Sequence, residues 1–189
     1  MNNYYQKNYK TYIENTINCD MNEHYQKFIK YLPKQTKILD IGFGSGRDIS
    51  YFESLGYDVY GIDVTPIFVK LGEEAGYKVS NKSVEDMDYE NEYDAIWACA
   101  SLLHINRNNL NKVFMKCNKA LKENGIMYCS FKYGNQEIIK DERYFNYINE
   151  DIIKIILQNN NFEILELYKS YDVRKDRNKE EWINIIIKK

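Results

Sequence analysis

Apolar and polar positions follow two different rhythms along this chain. Residues 4–18 carry Tyr5, Tyr9, Tyr12, Ile13 and Ile17, with Thr16 among them, near helical spacing. Asp20 and Glu23 read as a capping box. The helix it opens lines up His24, Tyr25, Phe28, Ile29 and Leu32 and stops at Pro33. From residue 37 short apolar runs alternate with helical patterns. The runs at 37–41, 58–62, 77–79, 93–99 and 126–131 predict strands. Between them, 47–55 predicts a helix with Ile49, Phe52 and Leu55 inward and Gly56 closing it. Thr65 is a candidate N-cap with Pro66 behind it, for a helix ending at Gly76. A further helix over 107–122 puts Leu110, Val113, Phe114, Cys117 and Leu121 on one face, and Asn124-Gly125 turns the chain after it.

The rhythm then breaks. Residues 132–147 are polar and aromatic without clear periodicity. A helix opens at Asn149 or Glu150 and runs to about Leu157. Strands at 162–170 and 181–187 follow, joined by a charged loop with no helix, so they pair antiparallel if they are neighbours. The sum is an α/β fold: a Rossmann-like, doubly wound, seven-stranded sheet of five parallel βα units plus a terminal antiparallel strand. One domain spans 1–189, with helices over 1–33 as a lid on a core of 34–189.

Composition changes this picture little. At 189 residues and 44% apolar content the chain can bury one core. A net charge of −2 argues weakly against a dedicated nucleic-acid binder. Cys19, Cys99, Cys117 and Cys129 form no C-x-x-C pair and read as reduced core residues; with only His24 and His104 to join them, no metal site is expected. No leader-like or membrane-length apolar run occurs, so a cytoplasmic protein off the membrane, monomer or homodimer, is the expectation.

The chemistry is concentrated at Ile38-Leu39-Asp40-Ile41-Gly42-Phe43-Gly44-Ser45-Gly46-Arg47-Asp48 and at Gly61-Ile62-Asp63. Two acids, 23 positions apart, each close a strand, and a glycine loop follows the first. Such loops let a ligand touch backbone where a Cβ would collide. The spacing is G-x-G-x-G; the dinucleotide fingerprint needs glycine where Arg47 stands, and no P-loop is present. An acid after the second strand accepts from ribose hydroxyls, and an acid before the loop can hold an ammonium. A ligand with both groups is S-adenosylmethionine.

With these motifs the chain resembles the class I S-adenosylmethionine-dependent methyltransferases. Trp97-Ala98-Cys99-Ala100-Ser101-Leu102-Leu103-His104, Ser130-Phe131-Lys132-Tyr133-Gly134, Arg143-Tyr144-Phe145 and Trp182-Ile183-Asn184 narrow the resemblance to small bacterial proteins of the tellurite-resistance type. The resemblance implies that Gly42, Gly44 and Gly46 line the methionine and ribose part of the cofactor. It gives Asp40 the ammonium, Asp63 the ribose and Val64 the adenine. Ser83 and Val84 fall where many relatives carry an acid for the adenine amine. Ala98 and Cys99 would lie under the sulfonium. Tyr4, Tyr5, Tyr12 and Thr16 resemble a polar-aromatic lid, with Tyr12 and Thr16 touching the cofactor. Phe43 stands where a small residue is common, as a core aromatic or a narrowing of the cleft.

His104, five positions past the fourth strand, is the candidate general base, with Glu150 and Glu180 behind it. Lys132, Arg143, Arg174, Lys175 and Arg177 would favour an anionic small-molecule acceptor if they converge, with Tyr133, Tyr144, Phe145 and Trp182 as walls. Lys132, Arg143 and Tyr133 join His104 as the expected catalytic set. The alternatives are an RNA (tRNA) methyltransferase, disfavoured by Ala98-Cys99-Ala100-Ser101 in place of an N-P-P-Y-type tetrapeptide, and a non-catalytic S-adenosylmethionine-binding protein. A nicotinamide oxidoreductase is disfavoured by Arg47 and Asp40.

Overall fold

The computed structural model describes residues 2–189; the side chains of residues 2, 3 and 175 lie outside the described part. Helices α1 (Asn2–Thr16) and α2 (Asn22–Ile29) come first. The alternating core follows as β1 (Lys37–Ile41), α3 (Arg47–Ser54), β2 (Asp58–Asp63), α4 (Pro66–Glu74), β3 (Lys78–Asn81), β4 (Tyr93–Ala98), α5 (Arg107–Ala120) and β5 (Leu121–Lys132). Then come β6 (Glu137–Lys140), β7 (Arg143–Asn146), α6 (Glu150–Asn159), β8 (Glu163–Tyr171) and β9 (Glu181–Lys188).

Seven strands form one sheet in the order β3-β2-β1-β4-β5-β9-β8. Strands β3, β2, β1, β4 and β5 pair parallel, and β9 runs antiparallel to both β5 and β8. The strand order reverses beside β1, so the C-terminal ends of β1 and β4 border a crevice, where ligands enter such sheets. Register aligns Asp40 with Gly61 on one side and Trp97 on the other, and Ala98 with Cys129.

Alternate side chains of each buried strand face opposite layers. Leu39, Ile41, Ile96 and Ala98 join Val113, Phe114, Ile153 and Leu157 of α5 and α6 in one core. Ile38, Ala95 and Trp97 join Phe28, Phe52 and Phe68 of α2, α3 and α4 in the other. Phe43 belongs to this second core: it is buried, and its ring fills the space left by Gly61 and Gly72.

The structure differs from the sequence reading in four places, the simplest being Leu55, which lies past the end of α3 and is exposed rather than inward. Glu23 takes no part in a capping box; Met21 is the N-cap of α2, and Asp20 instead accepts from the Asn22 N–H at 2.9 Å. Residues 132–147 are not an irregular segment but contain the β6–β7 hairpin, a separate two-stranded sheet. Cross-strand pairs such as Ile138–Phe145, rather than any apolar period, mark it. The fifth strand begins earlier than expected, at Leu121, because Asn124 adopts φ 64° inside it and lets the chain turn without leaving the sheet.

A Cβ at position 61 would stand 2.7 Å from the Phe43 ring and 2.8 Å from Ile49 Cδ1, both in the core. Gly61→Ala is expected to cost about 1–3 kcal/mol, the usual penalty of overpacking. A urea melt checks this, and an unchanged midpoint would show that the Phe43 ring turns aside freely.

Candidate active site

Two cavities meet at the C-terminal ends of β1 and β4. The first, a cleft of about 1070 Å³ open to solvent, is lined by Gly42, Gly44, Asp63, Val64, Ser83 and Val84 among others. The second, a chamber just as open to solvent, with about 1010 Å³ counting that open space, is lined by Arg47, Cys99, Lys132, Arg143, Phe145 and Trp182 among others. Tyr5, Tyr12, Gly42, Ala100 and His104 line both. Ala100 stands in the left-handed region at φ 51°, a strained turn where β4 ends between the two spaces.

The cleft fits a nucleoside carrying an amino-acid tail. Asp40 lines neither cavity; it is buried at 1% exposure in β1, directly before the loop that borders both, and its Oδ2 has no hydrogen-bond partner. Burial, and next the charge of Asp48, push its carboxyl well above the usual range, while Arg47 pulls it down. A buried carboxylate with an unfilled oxygen is a place for a cation. Asp63 ends β2 with Oδ2 accepting from Gly44 N–H at 3.1 Å and Oδ1 from Thr65 N–H at 2.8 Å. Each oxygen keeps a lone pair for a hydroxyl. Burial raises its pKa, and the Thr65 and Gly44 backbone bonds oppose that rise. Gly44 (φ 53°) brings its backbone against Tyr12; a Cβ there would lie 2.8 Å from the Tyr12 hydroxyl.

Helix α1 lies across both cavities. Tyr12 and Tyr5 pack on Phe68 of α4, and Gln6 accepts from the Ile67 N–H at 3.2 Å. The Arg143 guanidinium stacks on Tyr4 at 3.9 Å. Tyr5 hydroxyl and His104 Nε2 are 2.8 Å apart, and His104 Nδ1 is 2.7 Å from the Tyr144 carbonyl oxygen. A carbonyl only accepts, so Nδ1 carries the proton and Nε2 accepts from Tyr5. Burial, then the charges of Arg143 and Lys132, lower His104 to about 3. His104 is a neutral imidazole at ordinary pH.

The chamber walls are cationic. Lys132 and Arg143 are both buried to 8% exposure and share the Phe145 ring, at 5.3 Å and 5.2 Å. Lys132 pairs with Glu180, and Arg143 with Asp141 at 3.2 Å, leaving Arg143 Nε without a partner. Arg174 is bound to Asp172, with Nε to Oδ1 at 2.8 Å, and Arg177 also faces the chamber. Beside Lys132 on the same sheet face, Tyr128, Ser130 and Asn184, with His24 of α2, form a hydrogen-bonding wall, in which Tyr128 donates to Asn184 Oδ1 at 2.8 Å.

Several expected site residues lie elsewhere. Tyr133 lines neither cavity; it lies under Lys169, whose Nζ is 3.5 Å from the ring centroid, because β5 ends there and its N–H bonds Glu181. Gly46 lines neither; its φ of 77° starts α3, and Tyr77 packs on it. Ala98 is fully buried beneath the site. Thr16 and Cys99 border the chamber, not the cleft. Ser83 uses its hydroxyl to accept from Glu85 N–H at 3.1 Å. The Tyr144 hydroxyl turns to Glu137, and Glu150 pairs with Lys169. Sequence reasoning missed Arg47 and His24 as chamber walls. The only signal was a charged pair, Arg47-Asp48, directly after the glycine loop.

Comparisons with known proteins agree with this geometry. Residues 39–129 match the family described as a methyltransferase domain. The chain is 31% identical over 130 residues to a phosphoethanolamine N-methyltransferase of Plasmodium falciparum, covering 60% of this chain and 48% of that protein. It is 31% identical over 107 residues to a sarcosine/dimethylglycine N-methyltransferase of Aphanothece halophytica, covering 51% and 38%. The chain thus spans about half, or less, of the curated relatives it matches. Its fold is similar to that of the 1,6-didemethyltoxoflavin-N1-methyltransferase of Burkholderia thailandensis, at a TM-score of 0.81 and 17% identity over 99% of this chain and 84% of that one. That structure holds 1,6-didemethyltoxoflavin and S-adenosylhomocysteine. Residues 39–129, the span similar to a methyltransferase domain, carry the glycine loop, Asp40 and Asp63 within a Rossmann-like fold. Among the described residues no helix is long and apolar enough to cross a membrane.

His104 has a consequence for acid stability. Its folded pKa is about 3, against about 6.5 for a histidine in an unfolded chain. Between those values the unfolded chain binds a proton that the folded chain refuses, so stability falls as pH drops through that window. His104→Asn is expected to lose less stability than the parent between pH 7 and pH 5. Paired urea melts at the two pH values test it; equal losses would mean that His104 protonates in the folded chain.

Proposed function

We propose that this chain transfers a methyl group from S-adenosylmethionine to a small-molecule acceptor bearing an anionic group. The observation that carries the reading is the buried Arg143, with Nε unpartnered, beside Lys132 in the chamber next to the cofactor cleft. Buried cations without full partners are costly, and an acceptor's phosphate or carboxylate would complete them. The cofactor, when bound, supplies an activated methyl on a sulfonium carbon, so the protein's work is alignment and exclusion of water.

In this reading Asp63 takes the ribose hydroxyls, Asp40 the ammonium, and Val64, Ser83 and Val84 the adenine edge. Gly42 and Gly44 give the backbone close approach, with Tyr12 closing over them. His104 and Tyr5 serve the acceptor. A protonated amine must lose its proton before it can attack. The Tyr5 hydroxyl, already donating to His104 Nε2, offers that proton a route: it passes to the Tyr5 oxygen as the Tyr5 proton passes to His104. An anion on Arg143 and Lys132 would offset the two charges that, after burial, hold His104 down. The same anion therefore anchors the acceptor and strengthens the base.

The acceptors named for the two curated relatives are amines joined to a phosphate or to a carboxylate. Both fit a cationic chamber. The resemblance to tellurite-resistance-type proteins adds an inorganic oxyanion to the candidates. A roof formed by α1 speaks against a polynucleotide acceptor.

Calorimetry with S-adenosylmethionine and S-adenosylhomocysteine is the first test, with micromolar binding of both expected. Asp63→Ala is expected to lose most of that affinity while its circular dichroism stays unchanged; an unchanged affinity would remove Asp63 from the ribose. A panel of phosphate- and carboxylate-bearing amines, with tellurite, then identifies the acceptor. Arg143→Met is expected to raise its KM about 10- to 100-fold, the range of a charge-assisted pair, with cofactor affinity preserved. An equal KM in the variant would sink the anionic assignment.

A further inference from the structure

We infer that Arg107 is the positioning residue for His104: its guanidinium closes the base of the β6–β7 hairpin, and a carbonyl of that hairpin fixes which nitrogen of His104 turns to the acceptor. The inference rests on the role given to His104 above and adds the residue that sets it.

A two-stranded hairpin is marginal in water by itself, so its place depends on what it docks against. This one forms its own sheet, apart from the seven-stranded one. Arg107 opens α5 and gathers both ends of the hairpin. On the side entering β6, Nη1 donates to the Asn135 carbonyl at 3.0 Å. On the side leaving β7, Nε and Nη2 donate to Asn146 Oδ1 at 3.0 Å and 2.8 Å, and Nη2 also reaches the Tyr147 carbonyl at 2.8 Å. The Arg107 N–H donates to the Tyr144 hydroxyl at 3.3 Å. Asn146 is fully buried, and its Nδ2 returns a bond to the Ile105 carbonyl at 3.4 Å. A planar fork of N–H groups suits acceptors on both sides of a chain reversal, where a single ammonium would not.

The grip lies next to the base it serves. His104 Nδ1 bonds the Tyr144 carbonyl at 2.7 Å, and Arg107 holds Asn146 two residues further along β7. Phe145, between them, packs on the His104 ring at 4.9 Å. A hydrogen bond that short is lost when the carbonyl slips by about 1 Å. The bond that keeps the proton on Nδ1 is then gone, and the Tyr5 hydroxyl can accept from Nε2 as readily as donate to it. Nε2 would no longer offer a lone pair to the acceptor's proton. The hairpin also carries Arg143 into the chamber, so the same grip places the acceptor's cation.

The test reads both histidines of the chain, His24 and His104, by nitrogen NMR on the intact protein at pH 7, with His24→Gln to assign the signals. The parent is expected to show His104 with its proton on Nδ1. Arg107→Met is expected to lose that signature, His104 moving to the Nε2–H form or to exchange between the two, while His24 stays as in the parent. Arg107→Lys keeps the charge without the fork and is expected to lose part of the signature. It decides the matter if Arg107→Met does not fold. An unchanged His104 in Arg107→Met, or in Arg107→Lys where the former does not fold, overturns the assignment and leaves the reading of His104 intact. A change in His24 alongside His104 marks a general loosening and overturns it as well. A parent with the His104 proton on Nε2 overturns the reading of His104 itself, and this inference with it.

Discussion

The buried carboxylate of Asp48 ties the site together. It takes hydrogen bonds from Arg47 of its own helix, from Trp97 of the central strand β4 and from Tyr25 of α2. Burial alone would raise its pKa, but Arg47 and these donors hold it below the usual carboxylate range. The charge therefore persists in the core and fixes three elements relative to one another. Trp97 stacks on Tyr128 at 4.0 Å, and Tyr25 on Tyr51 at 3.8 Å, so the aromatic core of this face grows outward from the same knot. Removing one donor would leave a buried charge short of partners, the expensive way to break such a network.

Around that knot the site divides by charge. The cleft borders Asp63 and Glu85 with Lys82, and Asp40 lies buried at its base strand, which suits a cationic ligand. The chamber has five cations against Asp48 and Asp172. A neutral histidine stands between them, with a tyrosine from the roof on one nitrogen and a carbonyl from the hairpin on the other. The hairpin β6–β7 thus contributes in two ways: its backbone fixes the tautomer of His104, and its side chains supply Arg143 and Phe145 to the chamber.

How much of this was readable in the sequence depended on whether the signal was local. The five βα units carry short apolar runs bounded by Gly, Asn and Pro, and the antiparallel end follows from two strands with no crossover helix between them. That Gly42, Gly44 and Asp63 would border a cleft was legible because a strand end, a glycine loop and an acid occur in order. The hairpin did not, because Glu137, Ile138, Tyr144 and Phe145 pair across strands without a sustained period, and its order comes from docking on His104. Tyr133 was misplaced because adjacency to Lys132 does not survive the alternation of side chains along β5. Phe43 was readable only with Gly61 and Gly72 beside it, a contact between three segments.

One helix roofs both cavities, and Tyr5 and Tyr12 each border the two. In the proposed reading, any movement of α1 that eased exchange of the cofactor would open the chamber as well. An acceptor able to take more than one methyl group would then face release after every transfer, since recharging the cleft and holding the half-finished product require opposite positions of the same roof. Such chemistry would be distributive by construction, with partly methylated intermediates free in solution and competing with fresh acceptor for each new turn.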